Sequence, residues 1–337
     1  MAEEREKRII QTAVPPESEG TRLDAYLSAR FTYRSRAEWQ KTVRAGEILL
    51  NGNRTRPSRL LHAGEELSFE LSDDSEPEVR TDFAVLHETP DFLVVSKPGN
   101  LPVHPAGCYF ANTLRMLLRK EYGELFVVNR LDRETSGLVL LARNGTAARK
   151  LSRLVEHRGV RKQYIVFVHG LFPHESLSAD GFLSSDPRSE VRKKRRFSFE
   201  KTEAPDAEPC RTDFTRLATD GSLSMLECRL HTGRFHQIRA TLFSLGFPVV
   251  GDKLYGPDDT LYLRYTKKAL TGEDKRRLLL DRQALHAWRM EFISPFDRKE
   301  LSFEAPLPPE LLRLKEQCLA PDSENVPTGI MPRFSES

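Results

Sequence analysis

The stretch FVVNRLDRETSGLVLL, residues 126–141, places a mostly polar segment between two apolar, β-branched segments. Apolar runs of this length predict buried strands, so residues 129–137 are expected to form a loop between two strands. Arg130 and Arg133 lie on both sides of Asp132 and are expected to keep its carboxylate ionised, as a nucleophile or a base requires. An ordinary salt bridge in a loop explains the same three residues equally well.

Further short apolar runs at residues 85–86, 92–95 and 164–168 are separated by turns or by helical patterns. Residues 147–155 and 238–245 carry apolar side chains at helical spacing, and the second pattern ends at Gly246. Strands interspersed with helices predict a mixed sheet and an α+β fold for this part of the chain. The acidic, proline-containing residues 73–81 indicate a linker before it, and residues 314–337 indicate a loose tail after it.

The residues before the linker predict a second, smaller domain at positions 19–72, preceded by an extension at 1–18. Apolar residues at three- and four-residue spacing predict one helix, and the capping-box pair Ser35 and Glu38 begins a second that ends near Gly46. Asn51-Gly52 is a hairpin signal, and the alternation at residues 67–71 predicts a returning strand. Two helices and a small sheet are therefore expected.

The composition indicates a soluble globular protein, with 39% apolar and 30% charged residues and no apolar run long enough to cross a membrane. The N-terminus is charged and has no secretory signal, so a cytoplasmic location is expected. The four cysteines are far apart and form no C-x-x-C pair, which argues against a disulfide framework and against a zinc site. His231 and His236 do not have the i, i+4 spacing that would place two metal ligands on one helix face.

The net charge of +3 conceals a local excess of positive charge. Residues 30–60 contain eight basic and only two acidic residues. A concentrated positive field favours a polyphosphate partner, because counterion release dominates such binding. RNA is the partner expected from the charge pattern together with the resemblances described next.

Within the smaller domain, an ordered set of residues resembles the small RNA-binding domain first known from a ribosomal small-subunit protein, an S4-like domain. The set comprises Arg22-Leu23-Asp24, Ser35-Arg36, Gly46, Asn51-Gly52 and Pro57-Ser58. The resemblance implies that the second helix and the adjoining loop contact RNA phosphates through Arg34, Arg36, Lys41 and Arg44. A solvated basic helix face is the alternative.

The loop at residues 129–137 resembles the active-site motif of the RluA-type pseudouridine synthases. Other motifs of that family stand in the expected order, one upstream at residues 97–105 and three downstream at residues 161–164, 233–239 and 283–287. The resemblance covers roughly residues 82–313 and implies the family's catalytic domain, with a mixed, largely antiparallel central sheet. Two positions depart from the pattern, since Asn129 replaces a usual histidine and Phe235 replaces a usual threonine or serine; both bear on RNA contacts more than on activity.

Carried over position by position, the resemblance makes Asp132 the catalytic aspartate and pairs it with Arg239. Tyr164 would stack on the uracil near the proton that leaves C5, and Arg130 would fill the gap left by the extruded nucleotide. Further substrate contacts are expected from Arg133, Thr135, His104, Arg234, His236 and Gln237. The basic run that begins at residue 192 is expected to contact the RNA backbone through Arg192, Lys193 and Lys194, although such a run is often only a solvated loop.

The predicted function is isomerisation of uridine to pseudouridine in structured RNA by a monomer that needs neither a metal nor a small-molecule cofactor. The S4-like domain favours large-subunit ribosomal RNA, with transfer RNA as the second choice. Whether Asp132 attacks the sugar or acts as a base in a glycal route stays open. A noncatalytic RNA-binding or ribosome-assembly factor and an N-glycosidase that releases uracil are the rival functions.

Overall fold

The computed structural model describes residues 8–31, 35–71, 76–106, 109–258 and 260–319. Its contacts divide the chain into two compact units: Leu101–Leu125 groups with the residues before Asp82, and the rest forms the second unit. The sequence placed Leu101–Leu125 in the catalytic domain. The Glu76 carboxylate explains part of the difference, because it accepts hydrogen bonds from the backbone N–H groups of Ala111 (2.9 Å) and Asn112 (2.8 Å).

Within its described residues, the first unit contains a small antiparallel sheet and three α-helices. In chain order its elements are β1 Arg8–Ala13, α1 Leu23–Arg30, α2 Arg36–Ala45, β2 Ile48–Leu50, β3 Asn53–Arg54, β4 Glu66–Leu71 and α3 Leu114–Tyr122. The strand order is β1-β4-β2-β3. The sequence assigned β1 to an extension, and this was wrong, because β1 pairs with β4 along its whole length.

Local signals in the first unit are confirmed. Ser35 and Glu38 form a reciprocal capping box at the start of α2, and Gly46 ends the helix in the left-handed conformation, with φ 76°. Asn51 and Gly52 turn the chain between β2 and β3 with positive φ angles. Trp39 is fully buried at the centre of the apolar core of this unit.

The second unit contains, within the described residues, an eleven-stranded sheet with helices against it. Its strands are β5 Ala84–Glu88, β6 Phe92–Lys97, β7 Phe126–Val127, β8 Ser136–Ala142, β9 Val160–His169, β10 Ser176–Ser185, β11 Arg195–Ser198, β12 Glu208–Thr219, β13 Leu223–Leu230, β14 Leu285–Ile293 and β15 Glu300–Glu304. Its helices are α4 Gly145–Glu156, α5 Gln237–Ser244, α6 Leu261–Thr266, α7 Gly272–Leu278 and α8 Pro309–Leu319.

The order β11-β10-β12-β13-β9-β14-β8-β6-β5 is antiparallel throughout except for the pair β8 and β14, which is parallel. The predicted α+β class with a mixed, largely antiparallel sheet is thereby confirmed. In the parallel pair the backbones approach so closely that a Cβ atom on Gly137 would lie 2.2 Å from the carbonyl oxygen of Ala287. Gly137 also has a φ of 112°, so this position requires glycine.

Two local expectations for the second unit were wrong. Residues 126–128 were expected to form a buried strand, but β7 is only two residues long and Phe126 is 38% exposed, because this strand pairs with β8 alone. The boundary at residue 313 falls inside α8, which runs to Leu319 and buries Leu314 and Cys318. Cys210 and Cys228 are also buried free thiols, whereas Cys108 lies outside the described residues.

In the part of the chain that the structure describes, no helix combines the length and the apolar character that a membrane crossing needs.

Candidate active site

A cleft in the second unit opens beside the loop that precedes β8. Residues 128–132, 160–162 and 229–239 supply most of its lining, and Tyr164 and Leu285 lie in its wall. The sheet order explains this convergence, because β14 lies between β9 and β8, while α5 follows β13 on the other side of β9. The motif loop, the predicted stacking tyrosine and the predicted ion-pair arginine therefore meet at one place.

Asp132 lies in the wall of this cleft with 30% of its side chain exposed. Arg239 Nη1 donates a hydrogen bond to Asp132 Oδ2 at 2.8 Å, and Gln283 Nε2 donates to the same oxygen at 3.3 Å. The other carboxylate oxygen, Oδ1, lies 3.8 Å from His236 Nε2. The ion pair with Arg239 that the family resemblance implied is confirmed.

The electrostatic surroundings keep Asp132 ionised. Burial alone would raise its pKa, but the positive charge of Arg239 outweighs burial, and the His236 ring and the hydrogen bond from Gln283 act in the same direction. The pKa of Asp132 is held at about 2. The carboxylate therefore carries its negative charge at every pH at which the protein is expected to work.

Arg239 is itself fixed by a second carboxylate. Its Nε and Nη2 atoms donate to Asp252 at 2.6 and 2.9 Å, and Asp252 also accepts the backbone N–H groups of Leu254 and Tyr255. The Tyr255 ring lies 5.0 Å from the guanidinium. This bidentate clamp leaves Nη1 as the atom that reaches Asp132, so the direction of the ion pair is set by the protein.

Tyr164 comes from β9 and is 6% exposed in the cleft wall. Burial raises the pKa of its phenol, and the negative charge of Asp132 raises it further. The hydroxyl therefore stays protonated in the ordinary pH range. Stacking of this ring on uracil stays a prediction.

His236 and Phe235 form an aromatic pair at the rim. His236 adopts the left-handed conformation, with φ 57°, immediately before α5, and its ring stacks on Phe235 at 3.7 Å between centroids. Its Nδ1 atom lies 3.1 Å from the hydroxyl oxygen of Tyr255. Burial lowers the pKa of His236 to about 3, and the charge of Arg239 contributes. The ring is neutral at physiological pH, and Phe235, 49% exposed, extends the apolar rim.

The two arginines beside Asp132 in sequence do not supply its counter-charge, so that expectation was wrong. Arg133 Nη2 donates to Glu134 at 3.0 Å and to the hydroxyl of Tyr265 at 2.7 Å. Arg130 is exposed in the cleft lining. The chain turns at Asp132, whose carbonyl accepts the N–H of Thr135, and neighbouring side chains in a turn point in different directions.

Two residues that were predicted to contact the substrate form hydrogen bonds within the protein instead. Gln237 is 3% exposed, and both ends of its amide are bonded, the oxygen to Thr232 Oγ1 and the Arg234 N–H, and the nitrogen to the Arg211 carbonyl and Thr212 Oγ1. It holds the loop before α5 in place. Thr135 is 2% exposed, and its hydroxyl accepts a hydrogen bond from Gln283 Nε2.

Gln283 is the site residue that the sequence did not single out. Its side-chain nitrogen contacts both Asp132 and Thr135, and its backbone N–H donates to Glu134 at 3.3 Å. The residue stands in the family motif at positions 283–287, which was the available signal, but that motif was assigned only to a closing strand. Its contact with Asp132 spans 151 positions in sequence and depends on the pairing of β8 with β14.

The remaining predicted contacts have mixed outcomes. Arg234 lies at the cleft with its guanidinium 3.1 Å from Glu208. His104 belongs to the first unit, and its contact with substrate stays a prediction. His231 is hydrogen-bonded to Asp213 at 2.6 Å. Within the described residues no three histidine, cysteine or acidic side chains lie together as a metal site would require.

The predicted RNA-backbone residues differ in exposure. On α2, Lys41 and Arg44 are exposed, and Arg36 is half exposed while bonding to Asp24; Arg34 lies outside the described residues. In the basic run of the second unit, Arg192 and Lys193 are exposed. Lys194 is 3% exposed, with its ammonium 4.1 Å from the ring of Phe243, so the predicted phosphate contact of this residue was wrong.

Comparison with known proteins agrees with this geometry. The family model for RNA pseudouridylate synthase matches residues 91–244, and the S4 domain model matches residues 21–67. A Chloroflexus aurantiacus protein named uncharacterized RNA pseudouridine synthase is 33% identical over 91% of this chain and 92% of its own. The ribosomal large subunit pseudouridine synthase D of Xanthomonas campestris is 31% identical over 90% of this chain and 91% of its own.

Among solved structures, human RNA pseudouridylate synthase domain containing 1 superposes with a TM-score of 0.55 at 24% identity, covering 74% of this chain and all of that one. This likeness concerns the fold. The sequence relatives, matched over most of both chains, carry the conclusion: the chain belongs to the RNA pseudouridine synthases, a family of isomerases, and carries an S4 RNA-binding domain.

Proposed function

We propose that the enzyme isomerises uridine to pseudouridine in large-subunit ribosomal RNA, with Asp132 as the carboxylate that acts on an extruded nucleotide. One observation carries the proposal: Asp132 is ionised, fixed by Arg239 and still partly open to a cleft. A carboxylate that served only the fold would have no need of this opening.

The reaction conserves every atom of the substrate. The bond between N1 and the sugar carbon C1′ breaks, the uracil turns, a bond forms between C5 and C1′, and the proton lost from C5 is balanced by one gained at N1. In one route Asp132 attacks C1′ as N1 leaves, and C5 then displaces the carboxylate from C1′. In the glycal route Asp132 removes the proton from C2′ as N1 leaves and returns it to C2′ as C5 bonds to C1′. Both routes need the ionised carboxylate, so a pKa of about 2 suits either.

The target uridine must leave its stack to reach Asp132. Tyr164 lines the wall of the cleft, and stacking of an aromatic ring on a base contributes roughly 1–3 kcal/mol per base. Arg130, exposed at the cleft, is placed to occupy the gap that the extruded nucleotide leaves. We therefore assign Tyr164 to binding of the base and Arg130 to support of the opened RNA.

Two features favour large-subunit ribosomal RNA over transfer RNA. Relatives that match most of the chain are named ribosomal large subunit pseudouridine synthase D. The S4 domain adds a second RNA-binding element with exposed basic side chains on α2, which suits a large, structured RNA.

Replacing Asp132 tests the catalytic assignment. Asp132→Asn should lower tritium release from C5-labelled uridine in RNA by at least about a thousandfold, as expected when an essential carboxylate is lost. RNA affinity should change little. Asp297→Asn, the same substitution in an exposed turn, is the matched control. Activity of Asp132→Asn above a few per cent of wild type would remove Asp132 from its role.

Mapping modified sites tests the substrate. Carbodiimide-dependent reverse-transcription stops should disappear from large-subunit ribosomal RNA when the gene is deleted, and should return with wild-type enzyme but not with Asp132→Asn. Loss confined to transfer RNA would overturn the assigned substrate. Free uracil among the products would identify an N-glycosidase, and an unchanged map with intact RNA binding would identify a noncatalytic factor.

A further inference from the structure

Residues 260–280, which lie between the acidic residues 258–259 and 281, carry a concentration of positive charge. Residues 260–280 contain six basic and two acidic residues, a net charge of +4, compared with +3 for the whole chain. The segment folds as the two short helices α6 and α7. Five of its basic side chains are exposed: Lys267, Lys268, Lys275, Arg276 and Arg277.

Part of this charge has a structural use. Arg264 holds the segment together by bonding to Asp258 at 2.8 Å and to Asp274 at 2.6 Å. Arg276 pairs with Glu273, and Arg277 lies 3.7 Å from Asp258. Three lysines remain for which the described residues offer no ion-pair partner: Lys267, Lys268 and Lys275. Among the described residues, their ammonium groups take no part in the ion pairs that hold the segment together.

Helix α6 is bonded directly to the catalytic loop. The hydroxyl of Tyr265 accepts a hydrogen bond from Arg133, the residue that follows Asp132. The Lys253 ammonium lies 5.0 Å from the Tyr265 ring and 3.0 Å from Glu134 in the same loop. A shift of α6 would therefore act on the loop that carries the carboxylate.

A second basic segment meets α6 from a distant part of the sequence. Lys193 lies with its ammonium 4.3 Å from the centre of the Tyr262 ring, and the Tyr262 and Tyr265 rings are 6.4 Å apart. Cations and aromatic rings alternate here. This combination is typical of surfaces that bind a nucleic-acid strand, because the cations bind phosphates and the rings stack with bases.

We propose that Lys193, Tyr262, Lys267, Lys268 and Lys275, called here the α6 surface, bind the backbone of the substrate RNA outside the cleft. The bond between Tyr265 and Arg133 then links RNA on this surface to the position of the Asp132 loop. The inference rests on the proposed function and extends it, because it assigns RNA recognition to a segment beyond the S4 domain and the cleft.

Neutralising the three lysines tests the binding. The triple variant Lys267→Gln, Lys268→Gln and Lys275→Gln should raise the Kd for substrate RNA by about tenfold at moderate salt. The slope of log Kd against log salt should fall by about 2, since each lost phosphate contact removes roughly one unit or slightly less.

A charge-matched control removes three cations from other surfaces, as Arg298→Gln, Lys299→Gln and Arg313→Gln in the turn before β15 and in α8. This variant should bind RNA almost as wild type does. If the two triple variants have the same Kd and the same salt slope, the α6 surface does not bind RNA and the proposal is wrong.

Tyr265→Phe tests the link to the loop, because it keeps the ring and removes the acceptor of the Arg133 hydrogen bond. The expected result is an unchanged Kd with a single-turnover rate about tenfold lower. An unchanged rate would overturn the link. The salt slope is measured without turnover. An enzyme that is inactive on every RNA would therefore refute the proposed function, whereas the Kd and the salt slope of the two triple variants would still decide the binding proposal.

Discussion

Two aspartates, one in each unit, are held by the same kinds of partner and differ in their access to solvent. Asp24 accepts hydrogen bonds from Arg22 at 3.1 Å, from Arg36 at 3.2 Å and from Gln40 at 2.6 Å, and its side chain is fully buried. Asp132 is held by Arg239 and Gln283, and 30% of its side chain is exposed. In both, these partners lower the carboxyl pKa.

The difference lies in what the second oxygen of each carboxylate meets. Both oxygens of Asp24 accept hydrogen bonds from arginine side chains, and the bonds from Arg36 join α1 to α2. Asp132 presents Oδ1 toward His236, whose ring is neutral and 3.8 Å away. Pairing with arginine therefore makes both carboxylates stable anions, and incomplete pairing at a cleft is what leaves one of them available for chemistry.

The largest effect that would sharpen this comparison is on stability. Asp24→Asn removes the buried charge that two half-exposed arginines bind, and losing hydrogen bonds to a charged group costs about 1.5–3 kcal/mol. Hydrogen exchange of α2 amides should therefore accelerate by roughly 10- to 150-fold. Asp132→Asn should leave exchange in α2 as it is. Equal protection of α2 in Asp24→Asn and wild type would contradict a structural role for Asp24.

A smaller effect is expected when the glutamine that donates a hydrogen bond to each aspartate is replaced. Gln283→Leu removes the amide that joins Asp132 to Thr135, and the single-turnover rate should fall about 10- to 100-fold, equivalent to roughly 1.4–2.7 kcal/mol. The pKa of Asp132 should rise, because a hydrogen bond to its charged form is lost. The low-pH limb of the rate profile should therefore move to higher pH.

The matched variant Gln40→Leu removes the corresponding amide from Asp24. It should weaken the first unit and leave the rate at saturating RNA unchanged. If Gln283→Leu and wild type have the same rate profile, Gln283 does not position the carboxylate, and the resemblance between the two aspartates ends at their arginines.

The smallest effect concerns pH. The pKa of Asp132 is lowered to about 2, and the ionised form is the active one, so activity is lost only as pH falls toward that value. Between pH 7.5 and pH 5 the single-turnover rate should change less than about twofold on account of this group. A tenfold fall with an apparent pKa near 6 would show that another group, or a protonated Asp132, controls the rate.

The sequence predicted best what depends on neighbouring residues. The capping box of α2, its glycine end and the turn at Asn51-Gly52 are confirmed, since each is determined within a few positions. The pair of Asp132 and Arg239, 107 positions apart, came from family resemblance and is also confirmed. Physical reasoning from neighbours named Arg130 and Arg133 instead, and a turn separated them from the carboxylate.

What the sequence could not provide depends on pairing between distant segments. Gln283 reaches Asp132 through the parallel contact of β8 with β14. Lys194 is buried because Phe243, on α5, covers it, whereas Lys193 beside it stays exposed. A run of basic residues in the sequence does not show which of these two neighbouring lysines is buried. The strand β1 and the end of α8 were missed because their apolar residues form no long periodic pattern.

The parallel contact of β8 with β14 also sets an order of events during translation. Ser136 pairs with His286 and Gly137 with Ala287, so the surroundings of Asp132 are completed by residues made about 150 positions later. A nascent chain that has exposed its RNA-binding unit and its motif loop still lacks Gln283. We therefore expect the nascent chain to bind RNA before the surroundings of Asp132 are complete, and to become active only after β14 has been synthesised.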